Sequence, residues 1–227
     1  MKTLLFTFCI FFNNFLFAQA LTIISTPKAY KKLVKLNPQN ELVNIKKIIP
    51  SIIIDLKYAT SNNFTKQQLY KNATTTYLRK DAAIALQAVQ AKLQTLGYGL
   101  KVYDAYRPYS ATVTMWNLIQ NEDYVANPKN GSGHNRGTSI DLTLIDLTNG
   151  KELDMGTGFD NFTDSAWHKF TPQLPITIQK NRATLLTVIE KYGFKKLESE
   201  WWHYSWVSTQ KYEVMDLGFG QLRNLVK

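Results

Sequence analysis

Apolar residues recur along the chain in two rhythms, and the switches between them outline the fold. Ile48 to Tyr58 carries the β-branched run Ile52-Ile53-Ile54 and reads as a strand. Arg79 to Leu96 reads as an amphipathic helix, with Ile84, Ala88, Ala91 and Leu96 near helical spacing and Gly97 as its stop. Leu100 to Ala105 alternates as a buried strand that ends at Arg107-Pro108, and Ser110 is placed to cap a second helix reaching Gln120. Asn121 to Gly137 is loop-like, rich in Asn, Gly and Ser. Thr138 to Ile145 alternates as a strand, followed by the hairpin signal Asn149-Gly150. After an irregular stretch from Met155 to Pro175, Ile178 to Lys191 reads as a third helix ending at Gly193. Phe194 to Leu197 and Trp202 to Val207 read as strands. Residues 21–47, polar and lysine-rich with little period, read as a lead-in wrapped on the surface. The pattern predicts one α+β domain, a mainly antiparallel sheet flanked by helices.

The N-terminus changes this picture. Lys2, the apolar stretch Leu4 to Phe17 and the small-residue site Ala18-Gln19-Ala20 make the three-part pattern of a cleaved signal peptide. The apolar stretch falls short of the roughly 18 residues that a membrane span needs. The expected plan is therefore a signal peptide at 1–20, the lead-in at 21–47 and one domain at 48–227, exported without stable membrane insertion. Cys9 is the only cysteine and lies in the signal. The mature chain then has no disulfide and no thiol to serve as nucleophile or metal ligand. The formal net charge of +10 comes as scattered pairs such as Lys31-Lys32 and Lys46-Lys47 rather than as a block. That is a solvated basic surface; it points to no nucleic-acid partner and suits anionic surroundings such as the bacterial envelope. Nothing in the sequence sets an oligomeric state.

The candidate chemistry is concentrated in three short elements. Two of the three histidines fall in Ser132-Gly133-His134-Asn135-Arg136-Gly137-Thr138-Ser139-Ile140-Asp141 and in Glu200-Trp201-Trp202-His203. They offer two imidazoles, one carboxylate on a strand and a spare glutamate. A catalytic zinc takes three protein ligands and keeps a position open for water, and hydrolysis needs a base beside that water. Alone, a His-x6-Asp or Glu-x2-His spacing is commonplace. The third element, Tyr103-Asp104-Ala105-Tyr106-Arg107-Pro108, adds a guanidinium at a rigid strand end, suited to an oxyanion. His168 reads as a loop or supporting residue, since three ligands already suffice.

In this order the three elements resemble the D-alanyl-D-alanine dipeptidases. These are zinc peptidases of the vancomycin-resistance dipeptidase type, related to the zinc D-Ala-D-Ala carboxypeptidases and the hedgehog-type fold. The likeness extends to Asp55-Leu56-Lys57-Tyr58-Ala59-Thr60-Ser61-Asn62-Asn63-Phe64-Thr65 and to Gly158-Phe159-Asp160, so that it covers residues 50 to 206. The resemblance implies one zinc ion per chain on His134, Asp141 and His203, and hydrolysis of D-Ala-D-Ala to two D-alanines. It makes Glu200 the general base toward the metal-bound water and Arg107 the oxyanion donor. Tyr58 and Asp160 are expected around the free amino group of the peptide, with Ser132 and the Gly133 backbone lining the site. Some members carry serine where this chain has Gly133. Two rival functions remain open: a zinc D,D-carboxypeptidase on peptidoglycan stem peptides, and a non-catalytic envelope-binding module on the same scaffold. With the signal peptide, the expected location is the bacterial periplasm or medium, where dipeptide from wall turnover is met.

Overall fold

The computed structural model describes residues 21–226; the expected signal segment, 1–20, lies outside them. In chain order the elements are β1 (Ile23–Ile24), α1 (Pro27–Leu36), β2 (Leu42–Asn44), α2 (Ile45–Ile48), β3 (Ile53–Ile54), β4 (Tyr77–Arg79), α3 (Lys80–Gln94) and β5 (Tyr98–Asp104). There follow α4 (Tyr109–Ile119), α5 (Gly133–Arg136), β6 (Ser139–Asp146), α6 (Ile176–Lys191), β7 (Phe194–Leu197), β8 (Glu200–Trp206), β9 (Val214–Met215) and α7 (Phe219–Leu225). Five strands form the main sheet in the order β3-β5-β6-β8-β7, antiparallel throughout except for β3 beside β5. The α+β architecture with a mainly antiparallel sheet is as the sequence predicts. Among the described residues no helix is long and apolar enough to cross a membrane.

The sheet has two unlike faces. Along β6, Ile140, Leu142 and Leu144 share one core with Leu86, Val89 and Leu93 of α3 and Leu185 and Ile189 of α6. The two-residue period of a strand therefore sends Asp141 and Thr143 to the other face. In β8, Trp202 and Tyr204 enter the same core, and His203 between them joins Asp141. A second core gathers tyrosines around α7: the rings of Tyr70, Tyr77 and Tyr106 lie 5.0, 6.1 and 5.9 Å from that of Phe219.

Several expectations are corrected by tertiary context. The strand expected over 48–58 pairs only at Ile53–Ile54, because α2 precedes it and Pro50 has no N–H to give a ladder. Helix α3 stands where expected but buries another face. Ala82, Leu86, Val89 and Leu93 are fully buried, whereas Ile84 is 49% and Leu96 45% exposed. The winning stripe removes more apolar area from water than one built on Ala88 and Ala91. Ser110 is not the cap of α4; the helix starts at Tyr109, and both the amide and the hydroxyl of Ser110 donate to Asp216 Oδ1, at 2.9 and 2.7 Å. A distant carboxylate thus takes the orphan amide of the first turn.

Residues 21–47 hold more order than their weak period suggests. Thr26 caps α1, accepting from the Ala29 amide at 3.2 Å, and the buried Tyr30 hydroxyl accepts from the Leu42 amide at 2.9 Å. Arg79, fully buried at the end of β4, reaches three backbone segments. It donates to the carbonyls of Asn40, of Arg136 (2.7 Å) and of Glu213 (3.3 Å), and its guanidinium lies over the Tyr212 ring. Burial lowers its pKa to about 10, which leaves it charged at neutral pH.

The corrected face of α3 is directly testable. Leu86→Ala should cost about 2–5 kcal/mol, the range for emptying a leucine site in a core. Ile84→Ala should stay within about 0.5 kcal/mol, as for a surface change. Urea unfolding of the metal-free protein, compared at equal slope, reads both.

Candidate metal centre and active site

Strand pairing sets the first two ligand candidates side by side. Asp141 of β6 lies directly opposite His203 of β8 in the antiparallel register, so both side chains project from one face. His134 comes from α5, a single turn inside what the sequence presents as loop. Its stop and start were both legible: Ser132 Oγ accepts from the Asn135 amide (3.2 Å) while Asn135 Oδ1 accepts from the Ser132 amide (2.9 Å). This reciprocal box opens the turn, and Gly137 in the left-handed region, φ +71°, closes it.

The three side chains converge. His203 Nδ1 lies 2.9 Å from Asp141 Oδ1, His134 Nε2 lies 3.1 Å from His203 Nδ1, and His134 Nε2 lies 3.5 Å from Asp141 Oδ1. His134 Nδ1 donates to the Ala105 carbonyl at 2.8 Å, which leaves Nε2 with its lone pair bare and aimed at the other two atoms. Burial favours a neutral Asp141, but His134 and His203 beside it draw its pKa below the usual carboxylate range. Two imidazoles and a carboxylate are a catalytic zinc set. Ligand atoms at bonds of about 2.0–2.2 Å in a tetrahedron stand about 3.3–3.6 Å apart, close to the spacings here. The residues fit the ion.

Around this group the other predicted residues assemble. Glu200 opens β8, where the pairing with β7 slips: Lys196 faces Tyr204, yet Leu197 faces Glu200. In a regular strand, residues three apart point to opposite faces. The slip brings Glu200 Oε2 to 3.7 Å from His203 Nδ1. Burial, then the charge of Asp141, raises the Glu200 pKa to about 8. Arg107 is buried and lies over the Tyr58 ring at 5.1 Å. The Tyr58 hydroxyl donates to Asp160 at 2.9 and 3.1 Å to its two oxygens. Asp160 stands in the left-handed region, φ +58°, and burial with the nearby Asp141 raises its pKa well above the ordinary value. Ser132 and Gly133 line the same cavity, of about 300 Å³, with all of these residues. His168 stays apart: it is buried in a short 3-10 turn with its ring 6.2 Å from Tyr204, and burial lowers its pKa to about 4.

Sequence reasoning reached Asp104 only as a possible strand-end partner of Arg107, and it missed a serine pair behind His203. Asp104, fully buried, accepts from Arg107 Nε and from the Tyr70 hydroxyl, at 2.9 Å each, and forms an ion pair with Arg107 Nη2 at 2.9 Å. The β5 register shifts between Val102 and Asp104, so that Asp104 faces Asp141; such a bulge re-aims a side chain. The D-A-Y-R spacing was the available signal. Ser139 and Ser205 were passed over. His203 Nε2 lies 3.3 Å from Ser205 Oγ, which lies 2.7 Å from Ser139 Oγ. This explains Gly133: a Cβ there would stand 1.9 Å from Ser139 Oγ.

Two tests follow from this geometry. Gly133→Ser should destabilise by about 1–3 kcal/mol, as overpacking does, and adding Ser139→Gly should restore most of the loss in thermal melts. The second concerns pH. The folded, metal-free protein keeps the Glu200 proton up to about pH 8, while the unfolded chain releases it near pH 4.3. Stability from this group is present below about pH 4 and is lost as pH rises toward 8. Glu200→Gln should therefore raise the urea midpoint of metal-free protein at pH 8 and leave it nearly unchanged at pH 4.

A sequence model of the D-ala-D-ala dipeptidase family, Peptidase_M15, matches residues 38–217. The chain is 39% identical over 175 residues to the D-alanyl-D-alanine dipeptidase of Escherichia coli (strain K12), covering 77% of this chain and 89% of the relative. It is 32% identical over 186 residues to the D-alanyl-D-alanine dipeptidase of Enterococcus faecalis (strain ATCC 700802 / V583), covering 73% and 91%. Among solved structures, the LdcB LD-carboxypeptidase matches at 24% identity and a TM-score of 0.38, over 59% of this chain and 61% of that one. With its sequence matched across nearly the whole described chain, this protein belongs to the D-ala-D-ala dipeptidase family of peptidases.

Proposed function

We propose that the protein hydrolyses D-alanyl-D-alanine to two D-alanines, with one zinc ion held by His134, Asp141 and His203. The observation that carries the reading is the convergence of three ligand atoms within 3.5 Å, with a buried glutamate at their edge. An ion held by these three residues would lower the pKa of its water toward neutrality and would polarise the peptide carbonyl.

The chain's own residues supply the rest. Glu200 takes the proton of the attacking water and passes it to the leaving nitrogen. A carboxyl whose metal-free pKa is about 8 is brought toward ionisation by a cation beside it, so its proton affinity falls near the working range. Arg107 meets the carbonyl oxygen as it gains negative charge. Asp104 accepts from Nε and lies 2.9 Å from Nη2, which orients the guanidinium toward the cavity. At the other end Tyr58 holds the Asp160 carboxyl; the substrate ammonium displaces its proton and stabilises the carboxylate. This arrangement favours a free amino terminus, hence a dipeptide. Ser205, backed by Ser139, accepts from His203 Nε2 and keeps Nδ1 turned to the ion. With the signal peptide expected at 1–20, the reaction takes place outside the cytoplasm, on dipeptide released from the wall.

The test is a substrate panel with zinc-loaded mature protein: D,D-, L,D- and L,L-dipeptides and a stem pentapeptide. D-Ala-D-Ala should be cleaved, and Glu200→Ala should lower kcat by about 10²–10⁴-fold with zinc content unchanged. Release of D-alanine from the pentapeptide as fast as from the dipeptide would sink the dipeptidase reading, and unchanged turnover in Glu200→Ala would remove the base from it.

A further inference from the structure

We infer that Phe64 sets the length of peptide that the site accepts, by walling the amine end of the substrate cavity off from a second, larger cavity. The inference rests on the substrate orientation proposed above, with the amino group at Tyr58 and Asp160.

The second cavity, about 460 Å³, lies beyond the first, and Phe64 and Asp160 line both. A peptide longer by one residue at its amino end would direct that residue into this wall. Behind the wall the space is polar. Lys57, Lys66 and Glu152 line it, and so does Thr143, whose buried hydroxyl has no hydrogen-bond partner among the described residues. Such a lining suits the amides and carboxylates of a peptide, and the volume exceeds that of the substrate cavity itself.

Phe64 is held in place from both sides. Its ring meets Tyr58 edge-on at 6.2 Å and Phe162 at 5.2 Å, and Phe162 in turn stacks on Tyr124 at 4.7 Å. The backbone beneath it is braced by the buried Asn63, whose amide donates to the carbonyls of Lys57, Thr60 and Gln67 at 3.2, 2.7 and 2.9 Å. A ring packed this way does not swing aside without losing its contacts. Two filters therefore act at the amine end: Asp160 selects by charge, and Phe64 selects by volume. Removing the ring joins the two cavities and leaves the hydrolytic groups untouched. The same reaction, water added across the final peptide bond, then extends to longer chains.

The experiment compares zinc-loaded wild type, Phe64→Ala, Phe64→Leu and Phe162→Ala on D-Ala-D-Ala and on the tripeptide with one more alanine at its amino end. Phe64→Ala should raise the tripeptide-to-dipeptide ratio of kcat/KM by about tenfold or more, the scale on which pocket volume discriminates. Phe162→Ala, which removes only the prop, should shift it the same way by less. Paired with Glu200→Gln, so that peptide binds without being consumed, Phe64→Ala should tighten tripeptide binding in calorimetry relative to Glu200→Gln alone. Should Phe64→Ala fail to fold, Phe64→Leu and Phe162→Ala decide. Wild type cleaving the tripeptide as readily as the dipeptide would overturn the proposed orientation, and this inference with it. A dipeptide-selective wild type whose ratio no variant moves would overturn the role of Phe64 alone.

Discussion

The arrangement depends on one lateral row across three strands. Asp104, Asp141 and His203 face one another in β5, β6 and β8, the first through a bulge and the second pair through regular antiparallel register. Because strand side chains alternate, a slip of one residue between β6 and β8 would send Asp141 or His203 into the apolar core and bring a large apolar residue to the site. The burial of Ile140, Leu142 and Leu144 on one side is thus what fixes the side that carries the candidate ligands. The core specifies the chemistry by excluding the wrong register.

The row also explains the electrostatics. Four carboxylates, Asp104, Asp141, Asp160 and Glu200, crowd about a single guanidinium, that of Arg107. Burial raises the pKa of three of them, and Asp141 adds to the shift at Asp104, Asp160 and Glu200. These shifts describe one condition, a surplus of negative charge in a place with little water. Protons or a cation must offset it. A divalent ion on the two imidazoles and Asp141 would answer that surplus, and in the substrate orientation proposed above an ammonium at Asp160 would answer what is left.

How much of this was legible depended on whether chemistry or geometry carried the signal. His134, Asp141, His203, Glu200 and Arg107 were singled out by three short elements and the family resemblance those elements carry, and the structure brings the five side chains together. The sequence could not say how Glu200 and His203, three apart on a strand, come to one side, since the slip between β7 and β8 is a property of the pairing. Nor did helical spacing alone rank the two stripes of α3; the larger apolar area of Leu86, Val89 and Leu93 decides between them. Asp104 hid beside a more conspicuous arginine, and its role appears only when the bulge turns it inward. The α5 turn was written in Ser132, Asn135 and Gly137, but a four-residue helix is too short to leave a period.

Arg79 carries a consequence of another kind. It ties the β2–β4 corner to the last turn of α5 through the Arg136 carbonyl and to the segment before β9 through that of Glu213. Arg136 closes the same knot by donating to the Tyr212 carbonyl at 3.1 Å. The turn that bears His134 is therefore clamped by residues from the far end of the chain. In chain order His134 and Asp141 precede α6, whereas His203 and the clamping residues 212–215 follow it. A folding chain therefore lacks both its third candidate ligand and its clamp until the carboxyl-terminal strands have joined the structure.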